Sequence, residues 1–141
     1  MAGIRALNIE IPGDLKALSG VAARIEEAGA EWGWPATVNF AVQLCLEEAT
    51  SNSIRHGDAW RGGGVRITLS QDDAAIHLEI ADRGPAFNPL EAPPPPPLTD
   101  LETAEPGGRG IALMRKFCPD ISYRRFDGAN CLRMVFPLAK P

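Results

Sequence analysis

Cysteine, histidine and aromatic residues are scarce in this chain. Three cysteines, two histidines and 6% aromatics are spread over 141 residues. Cys45, Cys118 and Cys131 are odd in number and form no C-x-x-C pair, so neither a disulfide framework nor a cysteine zinc site follows. A reducing compartment suits such usage. No basic start leads into an apolar run, so no signal peptide is expected. No stretch approaches the roughly 18 apolar residues that span a bilayer. A soluble, cytoplasmic protein without membrane contact is the expectation. A basic excess is also missing: 14 Lys and Arg stand against 18 Asp and Glu, net -4. That balance excludes broad, unselective nucleic-acid binding, which needs a positive surface. No internal repeat is visible.

What charge there is lies unevenly. Residues 1–108 carry 7 basic and 16 acidic side chains, whereas residues 109–141 carry 7 basic and 2 acidic. A solvated charged face accounts for this. The sharper reading is that some C-terminal arginines meet phosphate or an acidic partner.

Hydropathy periodicity predicts a single domain over residues 1–141. Residues 4–11 alternate as a strand with Leu7, Ile9 and Ile11 on one face. Asp14 caps a helix over 15–30, striped by Leu15, Leu18, Val21, Ala22 and Ile25. A break follows from Gly29 to Trp34, and Pro35 opens a second helix to about residue 56. Strands are predicted over 65–70 and 75–82, a short helix over 110–118, and strands over 120–126 and 130–137. Asp127-Gly128 between the last two is a strong hairpin signal. Residues 83–108 form a long loop containing five consecutive prolines, Pro93 to Pro97. A loop of that length inside a compact domain is usually functional, and a lid over a ligand is the natural candidate. A linker is the plainer alternative. This order of elements predicts an α+β fold: a two-layer sandwich of a mixed, mostly antiparallel sheet with helices on one face.

Three segments carry chemistry. In Glu48-Ala49-Thr50-Ser51-Asn52, Glu48 and Asn52 lie four apart and share a helix face. An Asn carbonyl is a hard oxygen ligand suited to Mg²⁺, and a Glu one turn away can accept a proton from an attacking hydroxyl. Surface residues show the same spacing by chance. In Asp82-Arg83-Gly84, an acid ends a strand and precedes a turn, where it can accept a hydrogen bond from an exocyclic amine such as that of adenine. A turn-forming Asp is the bland reading. In Gly107-Gly108-Arg109-Gly110, glycines expose backbone N–H groups at a helix start, which suits phosphate oxygens. The pattern is not G-x-x-x-x-G-K-[ST], which excludes a P-loop. Nor does a G-x-G-x-x-G follow the first strand, so a dinucleotide fold is not expected.

Taken in order, a helical E-x-x-x-N, a strand-ending D-x-G, a lid and a G-x-G opening a helix resemble the N, G1 and G2 boxes of the histidine-kinase-like (GHKL) ATPases. Within that superfamily the chain is most similar to the anti-sigma-factor serine-protein kinases, on EEATSNSIRHG and GGRGIALMRKFCPDISY. The resemblance runs from the first strand to Phe136. It implies a Bergerat-type ATP-binding fold with ATP and Mg²⁺ as cofactors. It implies Glu48 as general base and Asn52 as the Mg²⁺ ligand. Asp82, with Gly84 beside it, becomes the adenine acceptor, and Gly108 and Gly110 the phosphate-facing glycines. Arg55 comes near the phosphates. The partners implied are a sigma factor, an antagonist protein phosphorylated on serine, and a second copy of the chain. The chain departs from the pattern at Glu105-Pro106, where some members follow the Glu with an Arg; Arg109 is the substitute at hand. That departure keeps an ATP-gated binding module without kinase activity as an alternative. The detached catalytic domain of a sensor histidine kinase is another, although neither His56 nor His77 sits on a dimerisation helix.

Overall fold

The computed structural model describes residues 5–56, 64–91 and 110–138. Gly108 and Arg109, and the part of the expected lid beyond Glu91, lie outside these residues.

The chain runs β1 (Arg5–Ile11), α1 (Leu18–Trp32), α2 (Ala36–His56), β2 (Val65–Gln71), β3 (Ala75–Asp82), α3 (Gly110–Phe117), β4 (Asp120–Phe126) and β5 (Ala129–Pro137). The strands form one sheet in the order β1-β2-β3-β5-β4. Every described pairing is antiparallel, so the expected parallel component does not occur. Every neighbouring pair except β3–β5 and β1–β2 is a hairpin, and both of these meet head to tail as well.

Strand alternation decides the packing. The register lines up Leu7, Leu69, Leu78, Met134 and Ile121 in one row across the sheet, and Ile9, Ile67, Ile80, Leu132 and Tyr123 in the next. Successive side chains alternate faces, so both rows point the same way. Ile67, Leu69, Leu78 and Met134 are sealed from solvent. Over them lies α2, whose Val42, Cys45, Leu46 and Ala49 recur at helical spacing and are buried to 2% exposure or less. Burying each such Leu or Ile contributes about 1.5–3 kcal/mol relative to leaving it in water. On one flank α1 packs against α2 through Val21, Ile25 and Ala28; on the other α3 inserts Met114. The opposite sheet face carries polar pairs: Arg66 bonds Glu10 at 2.9 Å, and His77 stands between Asp72 (3.2 Å) and Arg133 (3.3 Å).

The first helix differs from expectation at both ends. Asp14 caps not α1 but the 3₁₀ turn of residues 15–17 that precedes it, accepting from Lys16 N at 2.9 Å; α1 begins at Leu18 without a side-chain cap. Gly29 does not break it: α1 continues to Trp32 and ends at Gly33, whose φ of 82° suits a left-handed cap. Tertiary packing overrides the weak helix propensity of Gly29, because the Trp34 ring lies against its Cα and any side chain there would collide with the indole. Trp34 Nε1 in turn donates to Gln71 Oε1 at 2.6 Å, tying the α1–α2 corner to the end of β2. At the β4–β5 turn, Asp127 (φ 53°) and Gly128 (φ 75°) both adopt positive φ, the mark of a type I′ hairpin.

All three cysteines are buried and free. Burial pushes the Cys45 thiol up to about 12 and the Cys118 thiol up to about 11. A thiol shifted that far leaves on the order of one part in a thousand or less as thiolate near pH 8. Iodoacetamide at pH 8 is therefore expected to spare Cys45 and Cys118 in the native protein and to label them only in guanidinium. Native labelling at the rate of a free cysteine would contradict this burial.

Candidate functional site

The third row of the inner sheet face breaks the apolar pattern. Ile11 and Val65 are followed across the sheet by Asp82, Asn130 and Arg125. The polar end of this row meets α2 where that helix presents Ala49, Asn52 and Ser53. Between them opens a small cleft lined by those three residues, Ile80, Asp82, Asn130, Leu132 and Tyr123, and closed at one side by Phe87 and Pro89. Asn52 and Asp82, 30 residues apart in sequence, thus line one cleft.

Asp82 is held from three directions. Ser53 Oγ donates to its Oδ2 at 2.9 Å, while Gly84 N (2.9 Å) and Asn130 Nδ2 (3.0 Å) donate to its Oδ1. A carboxylate offers about four acceptor positions. These bonds fill both on Oδ1 and one on Oδ2, leaving Oδ2 with one to offer a ligand donor. Gly84 does not line the cleft. Its amide is spent on Asp82, and its carbonyl accepts from Arg125 Nη1 at 2.7 Å. Asn52 is 7% exposed, and its amide bonds no other described residue. Its amide is not among the sealed, unpartnered side-chain groups of the described residues, which are Asn39 Oδ1 and Thr50 Oγ1; it opens onto the cleft, where a ligand could reach it.

Asn130 was not singled out from sequence, where it reads as an ordinary residue after a hairpin turn. In the fold it makes all four bonds that an amide allows. Its Nδ2 donates to Asp82 Oδ1 (3.0 Å) and to Pro85 O (2.8 Å); its Oδ1 accepts from Phe87 N (3.0 Å) and Tyr123 Oη (2.5 Å). One side chain therefore fixes the carboxylate, the turn after β3 and the ring of Tyr123. Ser53 was also missed, although it follows Ala49 by one helical turn. The described start of the expected lid is not featureless: residues 89–91 form a 3₁₀ turn, and Arg115 Nη2 donates to Leu90 O at 2.9 Å.

The histidine kinase-like ATPase domain family matches this chain over residues 11–136. The chain belongs to that family. It is 38% identical over 103 residues to the serine/threonine-protein kinase BtrW of Bordetella bronchiseptica, covering 72% of each chain. It is 30% identical over 87 residues to the anti-sigma F factor of Clostridium acetobutylicum, covering 62% of this chain and 61% of that one. Its fold superposes with a TM-score of 0.65 on the solved RsbU and RsbW domains of Rv1364c from Mycobacterium tuberculosis. That match is 18% identical and covers 97% of this chain but 33% of the solved one. The family establishes a histidine kinase-like ATPase domain on this α+β sandwich. Among the described residues no helix is long and apolar enough to cross a membrane, and no three or more His, Cys, Asp or Glu gather as a metal cluster.

Glu48 sits one turn before Asn52 on α2 and is half-buried. Burial lifts its carboxyl above the usual glutamate range, the charge of Glu47 adds to the lift, and the Arg55 guanidinium opposes it. Gly110, the first residue of α3, lies against this carboxylate. A Cβ on Gly110 would collide with Glu48 Oε2 and stand 3.2 Å from its carboxyl carbon. Gly110 is thus placed beside the general-base candidate. His77, on the solvent side of the sheet, is remote from the cleft residues.

Two outcomes follow for the ATPase cleft. Asn130→Asp replaces two donors with a second carboxylate facing Asp82, and an ATP titration should show at least a tenfold loss of affinity; unchanged affinity would remove Asn130 from the site. Gly110→Ala meets only the tip of a flexible Glu side chain, so thermal unfolding should change little, by about 0.5–1 kcal/mol at most, while the displaced Glu48 lowers turnover.

Proposed function

We propose that this chain is an ATP-dependent serine/threonine-protein kinase that doubles as an anti-sigma factor. It binds a sigma factor and phosphorylates a serine on an antagonist protein. The observation that carries this reading is the convergence of Asn52 and Asp82 on one cleft, with Glu48 one helical turn from Asn52. The names of the relatives, a serine/threonine-protein kinase and an anti-sigma F factor, support both halves.

In this reading Asp82 Oδ2 accepts from the exocyclic amine of adenine through its remaining acceptor position. Ser53, Gly84 and Asn130 hold that carboxylate still, so little ordering is left for the moment of binding. Asn52 offers a carbonyl oxygen to Mg²⁺, which, when bound, supplies neutralisation of the phosphate charge. Glu48 accepts the proton of the attacking hydroxyl. Its raised pKa suits the task, because a base poised closer to neutrality is a better proton acceptor than an ordinary glutamate. The same reading assigns phosphate contacts to Gly110 at the start of α3 and to Gly108 and Arg109, which lie outside the described residues. The rest of catalysis is positioning and charge stabilisation. Cytoplasmic location and pairing of two copies through an exposed strand such as β1 belong to the same reading.

The decisive assay mixes purified chain, Mg-ATP and the antagonist protein. Labelled phosphate should appear on serine, and Glu48→Ala should abolish transfer while ATP still binds. Transfer that survives in Glu48→Ala removes the base. A partner complex that needs ATP but never yields phosphoserine leaves a nucleotide-gated binding module instead, and phosphohistidine on the partner points to the sensor-kinase reading. The pH profile gives a second check. The base works only when deprotonated, so the rate falls as acid protonates Glu48, and that limb should lie above the ordinary glutamate range.

A further inference from the structure

Beside the cleft, α2 and α3 present a second surface. On α2, Phe40, Leu44 and Glu48 recur every four residues and share one row. On α3, Gly110, Leu113 and Phe117 recur at three and four residues. The two rows touch at both ends. Gly110 lies against the Glu48 carboxylate, and the rings of Phe117 and Phe40 meet edge to face with centroids 5.3 Å apart. The rows therefore run side by side in opposite directions for about 12 Å, the rise of eight helical residues.

Core packing does not use this strip up. Phe40 is 57% exposed and Leu113 38%, while Leu44 and Phe117 are half-buried and Met114 beneath them is sealed. The other exposed large apolar side chains among the described residues differ. Leu15 is on the 3₁₀ turn before α1, and Phe126 lies under the Arg124 guanidinium at 4.9 Å. Single exposed apolar residues need no explanation, but adjoining ones on two helices mark a binding surface. Its outer end carries a cation, since Lys116 Nζ stands 5.8 Å from the Phe117 ring centroid. Its inner end is the base candidate itself.

We propose that this strip docks the protein substrate whose hydroxyl is phosphorylated. The inference rests on the kinase reading of Glu48. The strip begins at the residue that takes the hydroxyl proton, so a chain lying along it delivers its serine to Glu48. The substrate it fits carries one or two apolar side chains within about 12 Å of that serine and an acidic group beyond them to meet Lys116. Apolar contact gives such a site its affinity, and the terminal charge sets direction and rejects basic sequences. A sigma factor or a second copy of the chain are the competing occupants.

The test measures steady-state phosphorylation of the purified antagonist protein by the full chain and by Phe40→Ser, Leu113→Ser and Lys116→Glu. All three side chains reach solvent, and thermal melts establish that each variant is folded; Lys116→Glu removes no apolar contact and serves if a serine variant fails. The KM for the antagonist should rise at least tenfold in each serine variant and in Lys116→Glu, while the KM for ATP stays within twofold. An antagonist KM within twofold of the parent in all folded variants overturns the strip and leaves the kinase reading standing. Loss of sigma-factor binding or of self-association with normal antagonist KM assigns the surface to that occupant and equally overturns the proposal. Absence of any transfer by the parent chain defeats the kinase reading, and the strip as a substrate dock with it.

Discussion

The site depends on one carboxylate being immobilised. Asp82 ends β3 on the inner side of the sheet, where an ion without partners would cost several kcal/mol. Three donors remove that cost, and they come from α2, from the turn after β3, and from β5. The same bonds that make Asp82 tolerable also lock the two layers together at the mouth of the cleft. In the proposed reading, stability and adenine recognition are thus served by one set of contacts. The single acceptor position left on Oδ2 is what remains for chemistry.

Much of this was legible in the sequence because the elements obey simple periodicities. Strand alternation at Ile9, Ile67, Leu69, Leu78 and Ile80 gave the inner face, and Asp127-Gly128 gave the hairpin. Glu48 and Asn52 could be paired because helical spacing is rigid. Ends were harder: Gly29 reads as a breaker until the Trp34 ring is seen against it, and that contact is tertiary. Asn130 and Ser53 were invisible for a related reason. Their importance comes from facing Asp82 across a sheet register and a helix–sheet gap, and nothing local marks either one. The order of elements predicts a mixed sheet because it does not fix strand direction across the long β1–β2 and β3–β5 connections, and both of these pairings are antiparallel.

The basic C-terminal quarter, residues 109–141, also finds a partial explanation. Arg125 and Arg115 are spent on the carbonyls of Gly84 and Leu90, bracing the segment that walls the cleft. Arg83 braces the hairpin tip through Asp127 O at 2.9 Å. These are neutral acceptors, so the arginines keep their charge while fixing backbone.

The strand order has a kinetic corollary. Two of the sheet's seams, β2–β3 and β4–β5, join neighbours through short turns and can close cheaply and early. The seam between β3 and β5 encloses everything from Arg83 to Gly128, so its ends meet only after a long loop has surrendered its freedom. Asp82 and Asn130 are register partners in that late seam. A half-assembled chain can therefore own both hairpins and still have no place for a nucleotide, which makes nucleotide capture a reporter of completed folding.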